Sequence, residues 1–129
     1  MLSLDCLVIG AGAVGLAIAR QLSQRCDVMV LEQHHLPGLE ISSRNSGVIH
    51  AGLYYPENFL KTRLCIAGRE QLYRYCEQHD LPHKRCGKWI VASHKDELPA
   101  LNALAEKAQT LGITHKRLSE KQIQQNNKY

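Results

Sequence analysis

The hexapeptide Gly10-Ala11-Gly12-Ala13-Val14-Gly15 constrains this chain more than any other feature. It has the form G-x-G-x-x-G, which means little alone and much in the right surroundings. The apolar run Leu4–Ile9 precedes it and ends at Gly10, as a buried parallel strand would. Residues Ala13–Arg25 carry Val14, Leu16, Ala17, Ile18 and Leu22 at helical spacing. Asp27–Glu32 then supplies Val28-Met29-Val30-Leu31, a second buried strand. Strand, helix and parallel strand within about thirty residues make a βαβ unit with a right-handed crossover.

Each part of the motif has a physical task. Gly10 turns the chain off the strand. Gly12, lacking a Cβ, lets the backbone approach a pyrophosphate, and Gly15 lets the helix pack on the sheet. The helix opening at Ala13 offers free N–H groups and partial positive charge to an anion. Glu32, at the end of the second strand, can accept hydrogen bonds from ribose hydroxyls and disfavours a 2′-phosphate. The pattern predicts a bound dinucleotide other than NADP. It does not separate FAD from NAD.

The rest of the chain alternates loops and helices. Gln33–Tyr55 is a long connection holding Ser42, Ser43, Asn45 and Ser46, and a connection of this length is more often functional than filler. Glu57–His79 has helical period and is stopped by Leu81-Pro82. Gly87–Ala92 reads as a strand. Asp96–Leu111 reads as a helix with Asp96 at its N-cap, Pro99 in its first turn and Gly112 closing it. Ile113–Arg117 suits a short strand, and Ser119 with Gln122 opens a last helix before a polar end, Gln124–Tyr129.

Composition narrows the class. With 129 residues, 44% hydrophobic and 22% charged, the chain suits about one globular domain and excludes collagen-like and disordered types. The net charge of +4 is spread along the chain, and its densest basic cluster, His83-Lys84-Arg85, is too short for a nucleic-acid arm. Five cysteines without a C-x-x-C pair, and a start at Met1–Asp5 with no basic leader, predict reduced thiols and a cytoplasmic location. The uncharged run Cys6–Ala19 is shorter than a membrane span, which leaves peripheral attachment to the inner face of a membrane open. His79, His83 and Cys86 have metal-like spacing, but Pro82 breaks any helix there, and no metal is predicted.

The segment Ser42-Ser43-Arg44-Asn45-Ser46-Gly47-Val48-Ile49-His50-Ala51-Gly52-Leu53-Tyr54-Tyr55 separates the two cofactors. With the glycine motif it resembles the FAD-dependent oxidoreductases of the D-amino-acid oxidase/glycerol-3-phosphate dehydrogenase superfamily. Lys61-x-x-Leu64-Cys65 and Cys86-Gly87-Lys88 make it most similar to the N-terminal part of the L-2-hydroxyglutarate dehydrogenase (oxidase) family. The resemblance runs from about Leu4 to Ala92.

The resemblance implies that Gly10, Gly12, Ala13 and Gly15 hold the FAD pyrophosphate and Glu32 the adenosine ribose. Ser43, Arg44 and Asn45 would lie along the pyrophosphate and ribityl chain, with Gly47, His50, Ala51 and Gly52 near the flavin ring. His50 is the candidate catalytic residue, with three readings open: a polar group tuning flavin or substrate, a covalent attachment point, or a structural histidine. Tyr54 and Tyr55 are either loop packing or pocket lining.

The implied reaction oxidises a small 2-hydroxy acid, L-2-hydroxyglutarate, to 2-oxoglutarate. Hydride passes to the flavin, and electrons pass on to a quinone or oxygen. The implied fold is α/β: a Rossmann-like βαβ FAD-binding unit over residues 1–82, then the start of an α+β substrate domain over 83–129. The family's enzymes are considerably longer, so a truncated chain of uncertain activity is expected. Alternatives are an inactive dinucleotide-binding fragment, or an FAD-dependent enzyme acting on glycerol 3-phosphate or an amino acid.

Overall fold

Two apolar tetrads flanking the glycine motif pair as parallel strands in the computed structural model, which describes residues 3–126. Strand β1 (Cys6–Ile9) lies beside β2 (Val28–Leu31), with Cys6 opposite Val28 and Ile9 opposite Leu31. Helix α1 (Ala13–Leu22) connects them. The described fold is therefore α/β, a two-stranded parallel sheet accompanied by helices. β1 is shorter than its apolar run Leu4–Ile9, while β2 coincides with its own. The Asp27 carbonyl accepts the Asp5 and Cys6 N–H groups, and the Asp5 carboxylate accepts the Asp27 N–H at 2.9 Å. These bonds fix the register at the start of the pair. α1 ends at Leu22, before the expected Arg25, because the Leu22 carbonyl accepts the Arg25 and Cys26 N–H groups and turns the chain back.

The strands were expected to be buried, yet their side chains alternate. Cys6, Val8, Val28 and Val30 are half-buried, while Leu7, Ile9, Met29 and Leu31 are exposed. Val8 lies against Gly15 of α1, so the helix covers one face and the other stays open.

The chain divides into two compact units, Met1–Val48 and Ile49–Tyr129. The second is built on helices. α2 (Leu60–Gln78) starts later than its apolar period suggests. Pro56–Phe59 forms a turn there: the Thr62 hydroxyl donates to the Pro56 carbonyl at 2.6 Å, and the Thr62 N–H donates to Phe59. Asp80, in the left-handed region at φ 51°, closes the other end, with the Leu81 N–H donating to the Cys76 carbonyl.

The strand expected over Gly87–Ala92 does not form. The segment has no ladder partner among the described residues, and Gly87–Val91 are exposed. Ile113–Arg117 is likewise not a strand; the Ile113 N–H donates to the Ala108 carbonyl, and both residues are buried.

α3 (Leu98–Thr110) follows a 3₁₀ turn, Lys95–Glu97. Glu97, and not Asp96, stands at the N-cap of α3, with no side-chain cap bond there; its Oε2 instead closes the preceding 3₁₀ turn, accepting the Ser93 N–H at 2.7 Å and the His94 N–H at 3.3 Å. Gly112 closes α3 at φ 64°. α4 (Glu120–Asn126) opens as expected, with the Ser119 N–H donating to Gln122 Oε1 at 2.9 Å. Residues 127–129 of the polar end lie outside the described residues.

Apolar burial is slight. Among the described residues the buried hydrophobic side chains are Ala11, Ala19, Ala108 and Ile113, while Ile9, Val14, Leu60, Leu64 and Trp89 are more than half exposed.

Candidate functional site

Half of the sequence-predicted residues, Gly10, Gly12, Ala13, Gly15 and Glu32, meet at the β1–α1 turn of the first unit. Gly10 takes φ +98°, which favours glycine, and its N–H donates to the Leu31 carbonyl at 2.7 Å. A Cβ on Gly15 would collide with the Gly10 carbonyl oxygen and stand 3.5 Å from Val8 Cγ1. The third glycine therefore sets how closely α1 rests on β1. A Cβ on Gly12 would meet only the Ser42 hydroxyl, at 3.1 Å.

Two side chains from β2 and beyond reach the backbone N–H groups of this turn. Glu32 Oε2 accepts the Ala11 N–H at 2.7 Å, and Oε1 accepts the His34 N–H at 3.0 Å. The His34 and Ala11 bonds, in that order, hold the Glu32 carboxyl below the ordinary carboxylate range. A carboxylate has about four lone-pair positions, so two N–H bonds leave room for ribose hydroxyls.

The second side chain is Ser42, whose Oγ accepts the N–H of Ala13, the first residue of α1, at 2.9 Å. An N-terminal helix N–H pointing outward is the donor a phosphate oxygen would take. The geometry and donor set therefore suit a nucleoside diphosphate: N–H groups at the helix start, an open approach at Gly12 and an ionised carboxylate beside them.

The segment after β2 folds back over the turn. The Gly38 N–H donates to the Ala11 carbonyl at 2.8 Å, and a 3₁₀ turn, Glu40–Ser42, follows. Glu40 is a non-glycine residue at φ 64°, and its carboxylate lies 2.8 Å from His34 Nε2. An open cleft of about 410 Å³ results, lined by Gly10, Gly12, Glu32, His34, Leu39 and Ser42, among others.

His34 and Glu40 were not singled out by sequence, and Ser42 was named in the loop without a cofactor contact. Ser43, which was singled out, turns its hydroxyl to the Glu40 carbonyl at 2.9 Å. Asn45 knots its own loop, Nδ2 donating to the Ser42 carbonyl and Oδ1 accepting the Gly47 N–H, both at 2.7 Å. Gly47 has φ 65°. Arg44 is exposed and lines a second cleft with His34, Glu40 and Ser43.

His50 belongs to the second unit and is exposed. Gly52 is buried there at φ +83°, where a Cβ would stand 3.0 Å from the Thr62 carbonyl oxygen and 3.3 Å from Cys65 Cβ. It therefore seats the loop on the first turn of α2. Tyr54 and Tyr55 lie beneath lysines: Lys88 Nζ is 4.8 Å from the Tyr54 ring centre, and Lys61 Nζ is 4.2 Å from that of Tyr55. Lys107 Nζ donates to the Tyr55 carbonyl at 2.7 Å.

Residues 5–128 match the protein family described as FAD dependent oxidoreductase. The chain is 52% identical over 101 residues to an Arabidopsis thaliana protein named "L-2-hydroxyglutarate dehydrogenase, mitochondrial", covering 78% of this chain and 21% of that protein. Proteins of the same name from Nematostella vectensis and Homo sapiens are 43% identical over 112 residues and 42% identical over 123. These alignments cover 84% and 93% of this chain and 25% and 27% of those proteins. The chain thus spans about a fifth to just over a quarter of the length of these curated relatives. Their names place them in mitochondria, which corrects the expectation of a cytoplasmic location. Among the described residues no helix is long and apolar enough to cross a membrane.

Proposed function

The chain belongs to the FAD dependent oxidoreductase family, and we propose that it supplies the cofactor-holding part of an L-2-hydroxyglutarate dehydrogenase. The observation that carries this reading is the pair of acceptors drawn to the β1–α1 turn, Glu32 on the Ala11 N–H and Ser42 on the Ala13 N–H. That turn is a ready-made seat for the diphosphate and ribose of FAD, completing a Rossmann-like unit. The substrate class comes from the relatives' names.

In this reading Gly10, Gly12, Ala13 and Gly15 form the diphosphate seat, Ala13 donating its N–H to a phosphate oxygen when Ser42 releases it. Glu32 accepts the ribose hydroxyls. Ser43, Arg44, Asn45 and Gly47 continue along the cofactor. A bound FAD would supply the acceptor for the hydride lost from C2 of the hydroxy acid, with a quinone or oxygen as the final acceptor of the electrons. Residues 1–82 form the FAD-binding part and residues 83–129 the start of the substrate-binding part. No residue of this chain is assigned as the base that takes the hydroxyl proton.

The test is flavin retention. Purified chain supplied with FAD and freed of excess should keep absorption bands at about 370 and 450 nm, since positioning the cofactor is the protein's task. Loss of all flavin on desalting, with no saturable quenching of FAD fluorescence on titration, would reject the reading.

A further inference from the structure

We propose that His34 and Glu40 form a latch that positions the segment 38–42 as a wall of the nucleotide cleft. The proposal rests on the cofactor reading above and adds two residues to it. His34 follows the ribose carboxylate: its own N–H donates to Glu32 Oε1 at 3.0 Å, so its backbone is fixed at the edge of the cleft. Its side chain reaches across to Glu40, Nε2 to Oε1, at 2.8 Å. A carboxylate only accepts, so the contact is a hydrogen bond in the tautomer with its proton on Nε2.

The far side of the latch is conformationally demanding. Glu40 sits in the left-handed region at φ 64°, which a residue with a Cβ enters only when its surroundings hold it there. Three bonds do so: the Ser43 N–H and hydroxyl both donate to the Glu40 carbonyl, and His34 holds the Glu40 carboxylate. The residue two positions on is Ser42, which caps the Ala13 N–H. Fixing Glu40 therefore fixes the hydroxyl nearest the diphosphate seat and the cleft wall that includes Leu39 and Ile41. A wall held before binding spares the ligand the entropy of ordering it. Both latch side chains remain partly exposed, at 34% and 63%, so the contribution is modest.

ADP probes the latch without the flavin. Calorimetric titration of ADP into the chain should show affinity reduced about two- to fivefold in His34→Ala and in Glu40→Ala, the scale of one exposed charge-assisted bond. The double variant should be no weaker than the worse single, because both remove one interaction. His34→Gln, which keeps an N–H donor, should recover most of the loss. Far-UV circular dichroism checks folding, and Glu40→Asn, too short to reach His34 and at ease in left-handed backbone, should show the same loss if the alanine variant fails to fold. Unchanged ADP affinity in folded single variants, or losses that add in the double, would overturn the latch. If ADP binding is then still lost in Glu32→Ala, the cofactor reading survives the latch's failure. A parent chain that binds no ADP overturns both.

Discussion

Adding one methyl group at Gly15 and at Gly12 should have opposite consequences. In Gly15→Ala the new Cβ meets the Gly10 carbonyl oxygen well inside contact distance, with the carbonyl carbon at 3.1 Å and Val8 Cγ1 at 3.5 Å. Two of these three neighbours are backbone, so no rotamer change relieves the clash. α1 has to retreat by about 1 Å or more from β1, and overpacking of this kind costs about 1–3 kcal/mol, sometimes more. Better helix propensity returns up to about 1 kcal/mol. The net loss is about 1–2 kcal/mol, in a unit whose buried apolar side chains, among the described residues, are Ala11 and Ala19.

In Gly12→Ala the only neighbour is the Ser42 hydroxyl, at 3.1 Å, which can swing aside. Gly12 already has φ −76°, so the backbone is unstrained by a side chain. The fold should lose about 1 kcal/mol or less, the worth of one exposed hydrogen bond. The same methyl group fills the approach of a diphosphate to the helix start, so nucleotide binding should disappear. Urea denaturation followed by circular dichroism, paired with ADP calorimetry, reads both effects. Equal destabilisation by the two substitutions, or Gly12→Ala binding ADP like the parent, would refute the roles assigned to the glycines.

Two further perturbations test the surroundings. Because Glu32 is held below the ordinary carboxylate range, its contribution to the turn is complete above that range and is lost as pH falls through its lowered value. Acid titration monitored at the Ala11 amide should therefore show a transition that Glu32→Gln removes. Thr62 is wholly buried and its hydroxyl satisfies the Pro56 carbonyl. Thr62→Val should destabilise the second unit by about 1 kcal/mol, the net worth of the one hydrogen bond lost, since the Pro56 carbonyl keeps the Phe59 N–H; the readout is a lower thermal midpoint of the helical signal.

The first strand, helix and second strand were legible because local pattern and tertiary role coincide there. Apolar tetrads, helical spacing and glycines at fixed offsets all describe the same turn. The Gly15 role followed from the same logic and is visible as its contact with Gly10 and Val8. Ser42 was not legible. Two adjacent serines look alike in sequence, and which one reaches Ala13 depends on how residues 38–42 fold back, a contact across 29 positions. The left-handed Glu40 was hidden for a similar reason, since left-handed backbone there would be expected of glycine. The strand at Gly87–Ala92 failed in the other direction: Trp89-Ile90-Val91 has strand character, but a strand exists only against a neighbour. Asp96 was expected to cap α3, but the 3₁₀ turn Lys95–Glu97 intervenes and moves the helix start past it, and Glu97 bonds back to the Ser93 and His94 N–H groups.

The most direct test of the account is an amide-resolved NMR titration of the ¹⁵N-labelled chain with FAD. The account predicts saturable shifts centred on Gly10–Gly15, largest at Ala13 as its N–H passes from the Ser42 hydroxyl to a phosphate oxygen, and accompanied by shifts at Glu32 and Ser42. ADP should reproduce them, since the seat holds the diphosphate and ribose. An unperturbed Ala13 amide at saturating FAD, or shifts confined to residues 49–126, would contradict it.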